Sequence, residues 1–300
     1  MRVESVTSAQ NRKVKTLLAL QEKARLRKEM GLFVVEGLRE LGHCVRAGFE
    51  IDTLFYCPDI IGSAVGPSAA ICYSALTRHA DPFRANAAEG PLPNLPDEDK
   101  ELITILEKAG QIVEVPRELY EKIAYRGGTE GMIAEVKVKK RTLEGLEMRE
   151  NPLVVVLEGV EKPGNIGAVL RSADAAGADA VLVCDPLTDL YNPNLIRASI
   201  GAVFTVQVVC CSSEEAIKWL KDNKINIYTA QLQDSSWYYD TDMTGGTAIV
   251  VGTEATGLTD GWREAADGHI RIPMLGELDS LNASVSAAIL LFEAVRQRNA

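Results

Sequence analysis

Residues 153–157 read Leu-Val-Val-Val-Leu, an unbroken apolar run with no polar side chain to turn toward water. Such a run suits a strand covered on both faces, the condition of a parallel sheet flanked by helices. Further strand signals follow at Ala180–Cys184, Thr205–Val209, Ile225–Ala230, Ala248–Gly252 and His269–Ile272, interleaved with helical periodicity near 166–176, 213–223 and 280–298. This alternation predicts a doubly wound α/β sheet. Sheets of that kind take ligands in the crevice outside the carboxyl ends of their strands.

The preceding half reads as a second, smaller α/β unit. A basic amphipathic helix is predicted from Ser8 to Glu29, carrying Val14, Leu17, Leu18, Leu20 and Ala24 on its apolar side. Strands are expected at Leu32–Val35, Thr53–Tyr56, around Ile71–Tyr73, at Ile112–Val115 and at Met132–Val138, with a helix opening near Glu36–Arg39, another over Asp99–Ala109 and a third ending at Ala124. Between Cys57 and Asp99 the chain turns to Gly, Pro, Ala, Ser and Asn, which suits a long surface loop. The charged stretch 142–151 is expected to link a domain of residues 1–141 to one of residues 152–300.

Charge is distributed unevenly along the chain. The net charge is −10, yet Met1 to Arg46 holds ten basic residues against five acidic ones, leaving −15 for the remainder. A polyanion responds to local potential more than to the global sum, so the first segment is where nucleic acid would be met. A solvated helix face accounts for the charge equally well. The six cysteines, Cys44, Cys57, Cys72, Cys184, Cys210 and Cys211, include no Cys-x-x-Cys pair and no His at metal-ligand spacing, and are read as buried reduced thiols with no metal site. No apolar run approaches the roughly twenty residues of a membrane span, and the first residues lead into a charged helix, so a cytoplasmic location is expected.

Three polar clusters fall at strand-to-helix junctions of the second half. The turn Gly159-Val-Glu-Lys-Pro-Gly164-Asn165-Ile-Gly167 lacks the Gly-Lys-Ser/Thr of a triphosphate loop and the Gly-x-Gly-x-x-Gly of a dinucleotide fold, which weighs against a nucleotide-utilising enzyme. Asn165 there can be a helix N-cap or a functional residue, and Ser280 and Asn282 can cap the last helix, whose apolar ladder reads Leu281, Val285, Ala288, Phe292 and Val295, widened by Ala287, Leu290, Leu291 and Ala294. Glu254, in the turn Gly252-Thr-Glu-Ala-Thr-Gly257, can cap or bind. Arg171 is not required by helical periodicity.

Together these clusters resemble the SpoU family of SPOUT-class RNA methyltransferases. The resemblance rests on Asn165-x-Gly167-x-x-x-Arg171, on Gly252-x-Glu254-x-x-Gly257-Leu258, and on Ile272-Pro273-Met274 followed by Ser280-Leu281-Asn282-x-Ser284. It extends to Asn192-Pro-x-x-x-Arg197 and to Leu291–Arg298, and so spans residues 151–298. The first half is similar to a ribosomal protein L30e-like substrate-binding domain, through Ser8-x-x-Asn11-x-x-Val14-Lys15 and Phe33-Val-Val-Glu36-Gly37-x-Arg39. Three residues depart from the family pattern: Ala255, Ala283 and Gln207.

The resemblance implies a 2′-O-ribose methyltransferase that uses S-adenosylmethionine, needs no metal, folds with a trefoil knot in its parallel-sheet domain, and pairs as a homodimer through the last helix. Its implied catalytic residues are Asn165, Arg171, Glu254, Ser280 and Asn282, and its cofactor residues are Gly252, Thr253, Ile272, Leu281 and Asn282. Arg12, Lys13, Lys15 and Arg39 are the candidate RNA contacts. Ribosomal RNA is favoured over transfer RNA as the substrate. The competing function is a non-catalytic RNA-binding or ribosome-associated protein of the same fold.

Overall fold

The computed structural model describes residues 3–64, 97–125, 130–254, 256–277 and 280–299. The strand expected around Ile71–Tyr73, Cys72, most of the 57–99 segment and Ala255 lie outside the described residues. The chain divides into two units, Met1–Lys139 and Lys140–Ala300. Among the described residues no helix is long and apolar enough to cross a membrane.

The first unit runs β1 Val3–Ser5, α1 Arg12–Glu22, α2 Ala24–Met30, β2 Leu32–Glu36, α3 Leu38–Arg46, β3 Ile51–Tyr56, α4 Pro58–Ala64, α5 Asp97–Lys108, β4 Ala109–Glu114, α6 Arg117–Ile123 and β5 Met132–Lys137. Its sheet is ordered β1-β4-β3-β5-β2, and is mixed, because β5 runs antiparallel to both β3 and β2. Val14, Leu17 and Leu20 of α1 enter one core with Phe55, Val113 and Ile133 of the sheet.

The single helix expected over Ser8–Glu29 is two helices, since Lys23 takes extended angles of φ −108 and ψ 103. The break turns Arg27 inward. Its guanidinium is buried and donates to the carbonyls of Leu20 at 2.6 Å and Gln21 at 3.1 Å, closing the end of α1. One cation of the basic segment is therefore a structural cap.

The second unit runs β6 Leu153–Glu158, α7 Pro163–Ala175, β7 Ala180–Cys184, α8 Pro193–Ser199, α9 Ala202–Thr205, β8 Val208–Cys211, α10 Ser213–Asp222, β9 Asn226–Ala230, β10 Ser236–Trp237, β11 Thr247–Val251, α11 Asp260–Ala265, β12 Gly268–Arg271 and α12 Ala283–Arg298. All seven strands are parallel, in the order β10-β12-β9-β11-β6-β7-β8. Every residue of β6 is buried, as its apolar run requires. Val154, Val156, Leu182, Ile227, Val250 and the fully buried Trp262 share one core.

Several local expectations change. The strand expected over Thr205–Val209 begins at Val208, because Thr205 closes the short helix α9. The last helix starts at Ala283 and is capped by Asn282, whose side chain accepts from the Ser284 amide, so Ser280 is not its cap. Its core face is Ala283, Ala287, Leu290, Leu291 and Ala294, whereas Val285 and Phe292 of the expected ladder stand 46% and 48% exposed. Cys210 is exposed rather than buried. The 141–151 stretch packs on the second unit: Leu143 joins its core, Arg149 pairs with Asp179 at 2.7 Å, and Arg141 donates to the carbonyls of Phe204 and Val206.

Candidate active site

The loops that leave β9, β11 and β12 at their carboxyl ends, with the start of α12, surround one cavity of about 310 Å3, and the loop after β6 reaches it through Glu254. Each loop is shaped by a local requirement of its sequence. After β11, Thr253 and Gly257 exchange two backbone hydrogen bonds, and a side chain at Gly252 would place its Cβ 2.4 Å from the Gly257 carbonyl oxygen. Gly257 itself holds φ +68, a left-handed angle that glycine adopts without steric cost. After β6, Pro163 occupies the first turn of α7 and Lys162 is its N-cap. Gly167 lets α7 cross α8 closely, since a Cβ there would lie 2.5 Å from the Cβ of Ala198.

Asn165 lies inside α7, beyond the cap, and its side chain faces across to the next loop instead of capping its own helix. Its Nδ2 donates to Glu254 Oε1 at 3.0 Å. The same oxygen accepts from Asn282 Nδ2 at 2.7 Å and from the Ala283 amide at 3.5 Å, and Asn282 Nδ2 also reaches Asn165 Oδ1 at 3.1 Å. Lys162 Nζ holds the other carboxylate oxygen, Oε2, at 3.0 Å. The Lys162 ammonium, then the Asn165 amide and the Ala283 N–H, hold the Glu254 carboxyl below the usual glutamate range. Glu254 is thus ionised and committed to its donors at neutral pH, an anchor for three loops more than a free base.

Gly252, Thr253, Glu254, Ile272, Ser280 and Leu281 all line the cavity, as do Met274 and Ala283. Asn165 and Asn282 bond to Glu254 but do not themselves line the cavity. Arg171 is exposed on α7, and its side chain makes no hydrogen bond or ion pair among the described residues. In the first unit, Arg12 and Lys15 are exposed, while Lys13 pairs with Glu4 at 2.5 Å and Arg39 with Glu40 at 2.9 Å.

Residues 152–292 match the SpoU rRNA Methylase family, and residues 11–134 match an MRM3-like substrate binding domain. The 23S rRNA (guanosine-2'-O-)-methyltransferase RlmB of Vibrio parahaemolyticus is 36% identical over 193 residues, covering 62% of this chain and 78% of that protein. The chain belongs to the SpoU rRNA methylase family. A second relative, the 23S rRNA (uridine(2479)-2'-O)-methyltransferase of Streptomyces viridochromogenes, is 28% identical over 298 residues, covering 97% of this chain and 92% of that protein. An AdoMet-bound rRNA methyltransferase from Sinorhizobium meliloti shares the fold with a TM-score of 0.79 at 25% identity, covering 98% of each chain.

Within this SpoU chain, Lys162 escaped the sequence reading. The signal was available: a lysine at a helix N-terminus faces the positive end of the macrodipole, an unfavourable place unless a carboxylate lies close by. Gln231, Arg263 and Arg271 also line the cavity and were not anticipated. No motif marks them: Gln231 and Arg271 reach the wall through the sheet order, and Arg263 from α11. Gln207, one departure from the family pattern, has a structural role, donating through Nε2 to the carbonyls of Glu147 at 2.7 Å and Asp179 at 2.9 Å.

Proposed function

We propose that the chain transfers a methyl group from S-adenosylmethionine to a ribose 2′-hydroxyl of ribosomal RNA. One observation carries this reading: the cavity wall at Gly252, Thr253 and Glu254 is continuous with the Asn165–Glu254–Asn282 network, which ties a small-molecule cavity to the helix that presents Arg171. The residues present fit the cofactor. The cavity pairs apolar walls from Leu258, Ile272 and Leu281 with polar atoms that find no partner among the described residues: Gln231 Oε1, Arg263 Nε and Arg271 Nε are buried and unsatisfied. Buried polar groups of this kind are normally paired, so they mark places where a ligand completes the bonding.

The cofactor, when bound, supplies a methyl activated by a sulfonium. Gly252, Thr253, Ile272 and Leu281 would hold it, and Ser280 lies on the same wall. Arg171, a permanently charged guanidinium, grips a phosphate of the RNA and stabilises the ribose oxygen as it gains charge; proton abstraction by a guanidinium is expensive. Asn165, Glu254 and Asn282 act as positioning residues that hold the α7 start, the β11 loop and the α12 start in one geometry. Arg12 and Lys15 on the first unit meet the RNA backbone. The exposed Val285 and Phe292 of α12 seat a second copy of the chain.

Two measurements test this. Calorimetry should show binding of S-adenosylhomocysteine, and mapping of 2′-O-methyl groups in a strain lacking the gene should show one ribosomal position unmodified and restored by the wild-type gene. RNA binding without cofactor binding would instead identify a non-catalytic RNA-binding protein.

A further inference from the structure

Resting on that reading, we propose that Gln231 and Arg271 form an adenine-reading edge of the cavity, held in place by Trp237. Parallel pairing sets Ala230 beside Ile270 and Trp237 beside Arg271, and the Gln231 amide donates to the Ile270 carbonyl at 3.0 Å. Gln231, Arg271 and Trp237 therefore stand in one lateral row across the ends of β9, β12 and β10. The Arg271 guanidinium lies over the Trp237 ring, 4.2 Å from its centroid, and Tyr239 stacks on Trp237 with centroids 6.3 Å apart. Among the described residues Arg271 is held by stacking and by no acid, and its Nε donor is buried on the cavity wall without a partner.

Beside it, Gln231 spends its Nε2 on the Gln233 carbonyl at 2.9 Å, and this fixes Oε1 as the atom presented, buried and without a partner among the described residues. An acceptor next to a donor is the complement of an adenine edge, which carries an amino donor next to a ring-nitrogen acceptor. It is a poor complement to a carboxylate, because Gln231 Oε1 would face it acceptor to acceptor. Position along the sheet agrees. The Glu254 anchor follows β11, and β12 lies two strands away across β9, roughly 10 Å at the usual spacing, so a ligand with its methyl toward Glu254 reaches this row with a distant part of its adenosine.

The test is calorimetry on the full chain with two probes, S-adenosylhomocysteine and 5′-methylthioadenosine, which lacks the amino-acid tail. Gln231→Ala and Arg271→Ala should each weaken both probes by a similar factor, roughly tenfold for one buried hydrogen bond. Trp237→Ala should weaken both by a smaller factor, and Trp237→Phe should restore them, since a ring still supports the guanidinium. A second measurement needs no variant: the wild-type chain should bind S-inosylhomocysteine, whose base presents an oxygen in place of the amine, roughly tenfold more weakly than the adenosyl compound. Unchanged methylthioadenosine binding alongside weakened S-adenosylhomocysteine would assign the row to the amino-acid tail and overturn the proposal. Equal wild-type binding of the inosyl and adenosyl compounds would overturn it as well. A wild-type chain that binds none of the three fails the methyltransferase reading itself.

Discussion

Asn282 Nδ2 lies 2.7 Å from Glu254 Oε1, while the Oδ1 of the same amide accepts from the Ser284 amide at 3.0 Å and the Ser284 hydroxyl at 2.6 Å. One side chain thus caps the last helix and ties it to the β11 loop. The two duties separate by mutation. Asn282→Ser keeps a good N-cap and should leave unfolding free energy within a few tenths of a kcal/mol, whereas Asn282→Ala should cost about 1 kcal/mol. Both should lower methyl transfer, by roughly 100-fold if loop positions shift by an ångström. Equal activity of Asn282→Ser and wild type would remove the tie from the mechanism.

Glu254 carries a pH dependence of defined sign. Its folded-state pKa is depressed, chiefly by Lys162, so the order it supplies is present above the ordinary glutamate value of about 4.3 and is lost as pH falls through the lower folded value. Lys162→Met should move the acid limb of S-adenosylhomocysteine binding upward toward that ordinary value, and Lys162→Arg should restore it. An acid limb unmoved by Lys162→Met would show that Glu254 is not the group titrating.

Arg171 is expected to act on RNA and not on the cofactor. Arg171→Lys should reduce single-turnover methylation by roughly 100-fold and weaken RNA binding, with S-adenosylhomocysteine affinity unchanged. Normal RNA binding together with a native rate would exclude both a phosphate grip and a base.

Phe292 and Val285 predict assembly. If they seat a second copy, Phe292→Glu with Val285→Glu should give a monomer by light scattering at concentrations where the wild type is a dimer, without loss of secondary structure, because both side chains are about half exposed. A wild-type monomer would leave this face to another partner.

Arg298 closes the second unit from inside. Its guanidinium donates to the carbonyls of Met243, Asn151, Pro152 and Gly245 at 2.9, 2.8, 3.2 and 2.6 Å. Arg298→Met should destabilise the protein by about 1–2 kcal/mol, since it removes a charged donor from four carbonyls and leaves Thr247 as the donor to those of Met243, Pro152 and Gly245. Denaturant unfolding measures this directly.

Much of this architecture was legible before any coordinates. Leu153–Glu158 and Ala180–Cys184 are strands because apolar, valine-rich runs of that length satisfy burial on both faces, a property of the run itself. The motif residues were recognisable by type and spacing. Helix ends were less so: Asn165 reads as a cap by its residue type, yet Lys162 and Pro163 start α7 two to three residues earlier and free the Asn165 amide for Glu254. The face of α12 was drawn too wide: the core takes the stripe of Ala287, Leu290, Leu291 and Ala294 and leaves Val285 and Phe292 half exposed, because apolar residues surround much of that helix and periodicity cannot choose between stripes.

Local chemistry, then, determined the two α/β units, the glycines at the tight turns and the set of polar residues available for a site. Which of them meet was decided by strand order. Asn165, Glu254 and Asn282 are far apart along the chain and touch because β6 and β11 are neighbours and α12 returns beside them; Gln231, Arg271 and Trp237 align because β9, β12 and β10 pair in parallel register. Hydrogen bonds act over about 3 Å and only between groups already brought together. Residue type supplies the donors and acceptors, but long-range strand pairing supplies the distance.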